Sequence, residues 1–216
     1  MPAAPRHIAV EGPPGAGKSL VATRLAELMG ARAVLEPQGA NPFLEHFLRD
    51  KRKYAFQTQV FYLLARHQQL QDLIQGDLFS GGTVTDYLFE RERIFAALTL
   101  SKDEQSLYER IYQVVRERVP RPDLVIYLQA RPDVLYARLR RRGQTHPPAP
   151  ALRELEEMTD VYNDFFFHYQ ATPLLVVNTN DVNLADDEEE VRQLALEAMR
   201  ARAGARHYIP RMHSQR

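Results

Sequence analysis

The stretch His7-Ile8-Ala9-Val10-Glu11 runs without interruption into Gly12-Pro13-Pro14-Gly15-Ala16-Gly17-Lys18-Ser19. The first five residues are mostly apolar and predict a buried strand, while residues 18–29 have helical periodicity. The octet matches the pattern G-x-x-x-x-G-K-[ST], and a position between a strand and a helix is the context in which that pattern forms a P-loop. The sequence therefore predicts a loop that binds the phosphates of a nucleoside triphosphate.

The residue types in this loop suit phosphate chemistry. Glycines let backbone N–H groups converge on phosphate oxygens, and the N-terminus of the following helix adds partial positive charge. Lys18 adds a full charge, and the hydroxyl of Ser19 can hold Mg²⁺. The pattern alone does not separate kinases from other nucleotide-binding proteins, so other polar residues must decide the reaction.

Outside the loop, short apolar runs alternate with longer segments of helical periodicity, which is typical of a parallel sheet covered by helices. Strands are predicted at residues 7–11, 32–36, 82–86, 124–129 and 174–177. Helices are predicted at residues 18–29, 54–74, 90–98, 102–118, 132–142, 152–169 and 187–203. We therefore expect a three-layer α/β/α P-loop NTPase fold with a mainly parallel, five-stranded sheet.

The length of 216 residues fits a single domain. We expect this P-loop domain to span residues 1–203 and to carry an arginine-bearing lid at about residues 138–150, where a basic helix end meets a proline-rich loop. Residues 204–216 contain arginines and no acidic residue. They are predicted to form a flexible tail.

The composition bears on partners and location. Lys and Arg number 28, as do Asp and Glu, so the formal net charge is zero and gives no general attraction for nucleic acid. The absence of cysteine excludes disulfides and suits the cytoplasm, and no apolar run approaches the roughly 20 residues of a membrane span. We expect a small-molecule nucleoside or nucleotide as partner, with neither nucleic acid nor membrane. A homodimer is left open, because the core explains the apolar stripes equally well.

Two carboxylates follow predicted strands. Glu36 ends the second strand and Asp86 the third, at the edge where open α/β sheets bind ligands. Transfer of a phosphoryl group to a hydroxyl needs a carboxylate to accept its proton and another to hold Mg²⁺, and these two residues can divide the tasks. The long helix after Glu36 carries Gln57, Gln59 and Arg66, which indicates a specific acceptor.

Together these features resemble the deoxyribonucleoside kinase family over nearly the whole chain. The resemblance rests on the P-loop, Glu36-Pro37, the segment from Tyr54 to Gln59 followed by Arg66, the strand-end Asp86, residues 91–96 and the lid arginines. It implies transfer of the γ-phosphoryl group of ATP, with Mg²⁺, to the 5′-hydroxyl of a deoxyribonucleoside. Glu36 would accept the hydroxyl proton, and Gln59 with Arg66 would read the nucleobase.

The resemblance, together with the residues themselves, assigns the following roles. The candidate catalytic residues are Glu36, Lys18, Asp86, Arg138 and Arg142. The candidate ATP-binding residues are Gly12, Pro13, Pro14, Gly15, Ala16, Gly17, Lys18, Ser19 and Arg141. The candidate substrate-binding residues are Glu36, Leu48, Tyr54, Gln59, Arg66 and Arg91. The candidate metal ligands are Ser19 and Asp86.

The sequence departs from the family pattern on the acceptor side. Asp86 is followed by Tyr87, where the family usually has an arginine, and Arg91 or Arg93 is the candidate replacement. Leu48 stands where the family has a tyrosine that reads the sugar 3′-hydroxyl. The lid lacks the family's glutamate, and Gln144 replaces a common lid arginine. Acceptor recognition is therefore expected to differ.

Two other functions stay open. A thymidylate-kinase-like nucleoside monophosphate kinase would share the P-loop, the parallel sheet and the arginine-bearing lid. A nucleotide-binding regulatory protein with weak or no catalysis would explain the missing acceptor groups. Glu36-Pro37 and the spacing from Gln59 to Arg66 favour a nucleoside acceptor.

Overall fold

A computed structural model describes residues 5–36, 41–76, 82–143, 148–184 and 186–211. The strands are β1 (His7–Glu11), β2 (Arg32–Val34), β3 (Thr83–Thr85), β4 (Leu124–Gln129), β5 (Leu174–Asn178) and β6 (Ala205–Tyr208). The helices are α1 (Lys18–Met29), α2 (Leu44–Arg49), α3 (Lys51–Gly76), α4 (Arg91–Thr99), α5 (Lys102–Arg116), α6 (Pro132–Arg142), α7 (Leu152–Phe167) and α8 (Glu188–Arg200).

The chain divides into two compact units. The first, here called the sheet unit, comprises Met1–Leu35, Ser80–Leu88 and Arg121–Arg216, and it contains the strands together with α1, α6, α7 and α8. The second, here called the helical unit, comprises Glu36–Phe79 and Phe89–Pro120 and contains α2 to α5.

The P-loop lies at the point of the sheet where consecutive strands change from one side of β1 to the other. The order is β2-β3-β1-β4-β5-β6, and every neighbouring pair is parallel. The chain therefore adds β2 and β3 on one side of β1 and the later strands on the other. Ligands of open parallel sheets bind beyond the carboxyl ends of strands at such a point, and the P-loop begins where β1 ends.

The core of the sheet unit explains why these segments become strands. The apolar side chains of β1, β4 and β5 are almost entirely buried, as the near-continuous apolar runs of a parallel sheet require. Helices α1 and α8 contact each other, and so do α6 and α7. Each contributes an apolar stripe to this core, which includes Val21, Leu25, Leu135, Leu155, Val191 and Leu194.

The predicted α/β fold with a parallel sheet is confirmed, but the number of strands was wrong. The sheet has a sixth strand, β6, which pairs with β5 and lies within the segment that the sequence predicted as a tail. The side chains of Ala205, Arg206 and His207 are exposed, because β6 is an edge strand held mainly by backbone hydrogen bonds. It therefore lacks the apolar pattern that identifies a buried strand.

The remaining elements lie within a few residues of their predicted positions, except that the short helix α2 was not predicted. Among the described residues, the helices are too short or too polar to cross a membrane.

The end of β6 supplies a test of its contribution to stability. The hydroxyl of Tyr208 donates a hydrogen bond of 2.8 Å to Glu190, whose side chain is buried in the first turn of α8. Tyr208→Phe should lower the free energy of unfolding by about 1–3 kcal/mol, because a buried carboxylate loses a donor. Denaturant unfolding measures this change. Arg206→Ala, which removes only exposed contacts, is the control and should cost no more than about 1 kcal/mol. Equal effects of the two variants would contradict the prediction.

Candidate functional site

The P-loop follows a path that its glycines permit. A Cβ atom on Gly12 would lie 2.6 Å from the carbonyl oxygen of Leu128 in β4, so no other residue fits without moving the backbone. Gly17, which precedes α1, has a φ of 89°, in the left-handed region that favours glycine. Because α1 has neither a side-chain cap nor an acidic residue in its first turn, its N-terminus is suited to an anion.

Lys18 lies against the start of this loop. Its Nζ donates hydrogen bonds to the carbonyl oxygens of Gly12, at 2.7 Å, and of Pro13, at 3.3 Å. The loop is closed by a hydrogen bond of 3.2 Å from the amide of Ala16 to the carbonyl oxygen of Pro13. These contacts hold the ammonium group beside the loop that is predicted to bind phosphate.

Ser19 and Asp86 form a pair of oxygen groups at the end of the loop. The Ser19 hydroxyl donates to Oδ2 of Asp86 at 2.5 Å, and the Asp86 amide donates to the carbonyl oxygen of Val34 at 3.2 Å. A hydroxyl and a carboxylate are hard oxygen ligands of the kind that Mg²⁺ prefers, and Mg²⁺ usually takes few protein ligands beside phosphate oxygens and water. The described residues contain no group of three or more His, Cys, Asp or Glu side chains that could hold a metal ion.

The helical unit contains a second group of charged residues, here called the carboxylate–arginine cluster: Glu36, Arg66, Arg91 and Glu92. Arg66 donates from one terminal nitrogen to Glu36 and from the other to Glu92. Arg91 lies 3.1 Å from Oε2 of Glu36 through its NH2 nitrogen, and its Nε lies 3.9 Å from Glu92. Two cations and two anions therefore balance within the cluster.

Burial separates the two acids. The side chain of Glu92 is 1% exposed, whereas that of Glu36 is 30% exposed. Buried charges persist only when partners replace their hydration, and Arg66 supplies this for Glu92. Glu36 is thus the carboxylate of this cluster that a ligand can reach, and two arginines fix its orientation.

Sequence reasoning missed Glu92 but identified the other three residues. A usable signal exists, because Phe89, Glu92 and Ala96 share one buried face of the segment that leads into α4. An acid at such a position predicts a buried partner. The structure also separates the two candidate arginines: Arg91 contacts Glu36, whereas Arg93 pairs with the exposed Glu109 at 3.1 Å.

Helix α3 presents Gln59, Tyr62 and Arg66 at the spacing i, i+3 and i+7, which places them on one face. Gln59 is buried. The guanidinium of Arg66 lies 5.3 Å from the centre of the Tyr62 ring. Burial raises the pKa of Tyr62, and the negative charge of Glu36 raises it further, so its hydroxyl stays protonated. This tyrosine adds a polar group that sequence reasoning did not include.

The two remaining acceptor candidates lie near the start of the helical unit. Leu48 is half-buried on α2. Tyr54, at the beginning of α3, stacks on His46 with ring centres 5.0 Å apart. Their described contacts do not join them to the carboxylate–arginine cluster, so their role in substrate binding stays a prediction.

The candidate lid arginines have different surroundings. Arg138 donates to the carbonyl oxygens of Thr179 and Val182 and to the Thr179 hydroxyl. Burial, followed by the charge of Arg141, lowers the pKa of Arg138 below its ordinary value. Arg141 pairs with Asp186 at 3.1 Å, and Arg142 is exposed at the end of α6. Residues 144–147 of the predicted lid lie outside the described residues.

The parallel sheet, the P-loop after its first strand and the adjoining serine–aspartate pair define a P-loop nucleotide-binding protein. Residues 8–200 match the family model for deoxynucleoside kinase, and the chain belongs to this family. The resemblance and the fold predicted from the sequence are thereby confirmed, with the strand count corrected as above.

Curated relatives and solved structures agree with this assignment. The chain is 34% identical over 181 residues to deoxyguanosine kinase of Bacillus subtilis, covering 83% of this chain and 87% of the relative. It is 28% identical over 195 residues to deoxyadenosine/deoxycytidine kinase of the same organism, covering 87% and 88%. A structure of deoxyadenosine kinase from M. mycoides shares the fold with a TM-score of 0.73 at 23% identity, covering 90% of this chain and 98% of that one.

The burial of Glu92 generates a test of the cluster. Glu92→Gln should lower the free energy of unfolding by about 1–3 kcal/mol, because the buried Arg66 loses one of its two charged partners and keeps only Glu36. Chemical unfolding monitored by circular dichroism measures this. Glu109→Gln breaks an exposed pair with Arg93 in the same unit and is the matched control, with an expected cost of about 0–1 kcal/mol. Similar losses in both variants would show that Glu92 does not hold the cluster together.

Proposed function

We propose that this protein transfers the γ-phosphoryl group of ATP to the 5′-hydroxyl of a deoxyribonucleoside. The observation that carries the proposal is the carboxylate–arginine cluster, in which Glu36 is ion-paired with two arginines and still accessible. The P-loop supplies a phosphate site in the sheet unit. Transfer to a hydroxyl requires an accessible carboxylate, because the hydroxyl must lose a proton as the phosphoryl group arrives.

On the donor side, the amides of the P-loop and the N-terminus of α1 would bind the phosphates of ATP, with Lys18 neutralising their charge. Ser19 and Asp86 are the residues that would hold Mg²⁺. When bound, the ion would offset negative charge on the transferring group. Arg138, Arg141 and Arg142 remain candidates for donor contacts.

On the acceptor side, Glu36 would take the proton of the 5′-hydroxyl while that oxygen bonds to the γ-phosphorus, and ADP would leave. Arg66 and Arg91 would keep the carboxylate oriented towards the hydroxyl. The amide of Gln59 can donate and accept hydrogen bonds at a nucleobase edge, and Arg66 adds donors. Leu48 and Tyr54 would contribute apolar contacts.

The names of the relatives point to a class of acceptor. Similar proteins are a deoxyguanosine kinase and a deoxyadenosine/deoxycytidine kinase, which supports a purine deoxyribonucleoside as the first substrate to test. The cytoplasmic location and a homodimer stay predictions.

The reaction itself is the direct test. Purified protein with ATP and Mg²⁺ should form ADP only when an acceptor is added, and deoxyguanosine or deoxyadenosine should serve while their 5′-monophosphates should not. A coupled assay for ADP, with the products separated by chromatography, measures this. Turnover with monophosphates alone would favour the thymidylate-kinase-like alternative. ATP binding without turnover on any acceptor would favour the regulatory alternative.

Replacement of the proposed base separates binding from chemistry. Glu36→Gln should reduce kcat by about 10²–10⁴-fold, the usual contribution of a general base, and leave the Kd of ATP within about twofold. Steady-state kinetics and calorimetry provide the two measurements. Glu117→Gln changes an exposed acid of the helical unit and should leave both values unchanged. A Glu36→Gln variant with near-normal kcat would exclude Glu36 as the base.

A further inference from the structure

Glu11, the last residue of β1, is a fully buried carboxylate that the proposed reaction does not use. Its Oε1 accepts hydrogen bonds from the amide of Gly12 at 2.9 Å and from the hydroxyl of Tyr162 at 3.1 Å. Its Oε2 accepts from the amide of Leu88 at 2.8 Å. All of these residues belong to the sheet unit.

A buried carboxylate is costly unless hydrogen bonds replace its hydration, so the donors around Glu11 are needed for it to be present. An ionised carboxylate accepts at both oxygens and donates from neither, whereas a glutamine amide has one accepting atom. This site presents donors to both oxygens, and only a carboxylate satisfies them together.

Two of the three donors come from segments that adjoin the predicted phosphate site. Gly12 begins the P-loop, and Leu88 lies two residues after Asp86. The pairing of β1 with β3 ends at Ala9 and Thr85, so the backbone ladder does not extend to Asp86. Beyond the end of this ladder, the side chain of Glu11 accepts a hydrogen bond from the amide of Leu88 and so connects the segment after Asp86 to the end of β1.

The third donor connects a helix to the same carboxylate. Tyr162 lies on α7, and its ring is stacked with those of Tyr127 and Phe166 in a buried aromatic group. A helix thereby shares an acceptor with the first residue of the P-loop. Movement of any one of the three donors changes the position of the carboxylate that holds the other two.

We infer that Glu11 is a positioning residue that sets the Ser19–Asp86 pair for Mg²⁺ by tying the P-loop, the segment after Asp86 and α7 to one buried carboxylate. This inference rests on the proposed function for its interpretation. It concerns the geometry of the donor side alone. A role in general packing would instead lower stability without altering metal-dependent binding.

The test compares Glu11→Gln, Tyr162→Phe and the control Tyr127→Phe. Tyr127 lies in the same aromatic group and its hydroxyl donates to Asn163 at 2.9 Å, so its replacement removes a similar hydroxyl but none of the hydrogen bonds that Glu11 accepts from Gly12, Leu88 and Tyr162. For each variant, calorimetry gives the Kd of ATP with and without Mg²⁺, and thermal unfolding gives Tm. The dependence of the rate on Mg²⁺ and the KM of the nucleoside are measured in parallel.

Glu11→Gln should raise the Kd of ATP in the presence of Mg²⁺ about tenfold, since one tether loses its acceptor. Without Mg²⁺ the Kd of ATP should change less than about twofold, and the KM of the nucleoside should also change less than about twofold. A shift of this size is too small to represent a lost hydrogen bond. Tyr162→Phe should act in the same direction but more weakly. The double variant should be no worse than Glu11→Gln alone, because Tyr162 acts through Glu11. Tyr127→Phe should resemble the wild type in these binding measurements.

The inference is overturned if Glu11→Gln leaves the Kd of ATP in the presence of Mg²⁺ at the wild-type value, whether or not Tm falls. If Glu11→Gln does not fold, the comparison of Tyr162→Phe with Tyr127→Phe tests the inference. Equal Kd values of these two variants for ATP in the presence of Mg²⁺ would then overturn the inference. Failure of the proposed function can be distinguished from failure of this inference. If the proposed function is wrong, the wild-type protein transfers no phosphoryl group to nucleosides. The calorimetric test of Glu11 does not depend on turnover.

Discussion

The close approach of the P-loop to β4 is the constraint on which the phosphate site depends. Gly12 passes the carbonyl oxygen of Leu128 at a distance that leaves no room for a Cβ atom. The start of the loop is therefore fixed against a central strand of the sheet, and the direction of α1 follows from it. Backbone amides can act as a phosphate site only when the scaffold holds them in place beforehand, and a buried parallel sheet provides that rigidity.

A different principle shapes the carboxylate–arginine cluster of the helical unit, where opposite charges stabilise one another. Arg66 is buried between two carboxylates, and the less exposed of them, Glu92, has no direct part in the proposed reaction. Its negative charge offsets the free-energy cost of burying the guanidinium group of Arg66. The accessible Glu36 then meets guanidinium groups that are already oriented. A proton acceptor held in this way needs little rearrangement when a hydroxyl arrives.

The sequence predicted most of the fold because its decisive signals are local. The apolar run before the glycines, the glycine pattern and the helix after it are contiguous, and β1, α1, β4 and α6 have their predicted bounds. Edge strand β6 was missed because three of its four side chains are exposed, so its sequence lacks the apolar pattern of a buried strand. In the site, Glu36 and Asp86 were predicted from their positions after strands. Glu92 and Glu11 were missed, although Glu92 lies on a buried face and Glu11 is the last residue of β1. Their importance lies in partners that are 26 and 77 residues away along the chain.

Position 87 carries a tyrosine, where the sequence comparison with the resembled family led us to expect an arginine. The charged partners of Glu36 are nevertheless present in the helical unit. Tyr87 is almost completely buried, and its carbonyl oxygen accepts a hydrogen bond of 2.8 Å from the Thr85 hydroxyl. It is therefore a core residue at a position where the resembled family carries a charge. Within the helical unit, Arg91 in the first turn of α4 pairs with Glu36 at 3.1 Å. A cation beside this carboxylate therefore does not require a charged residue at position 87.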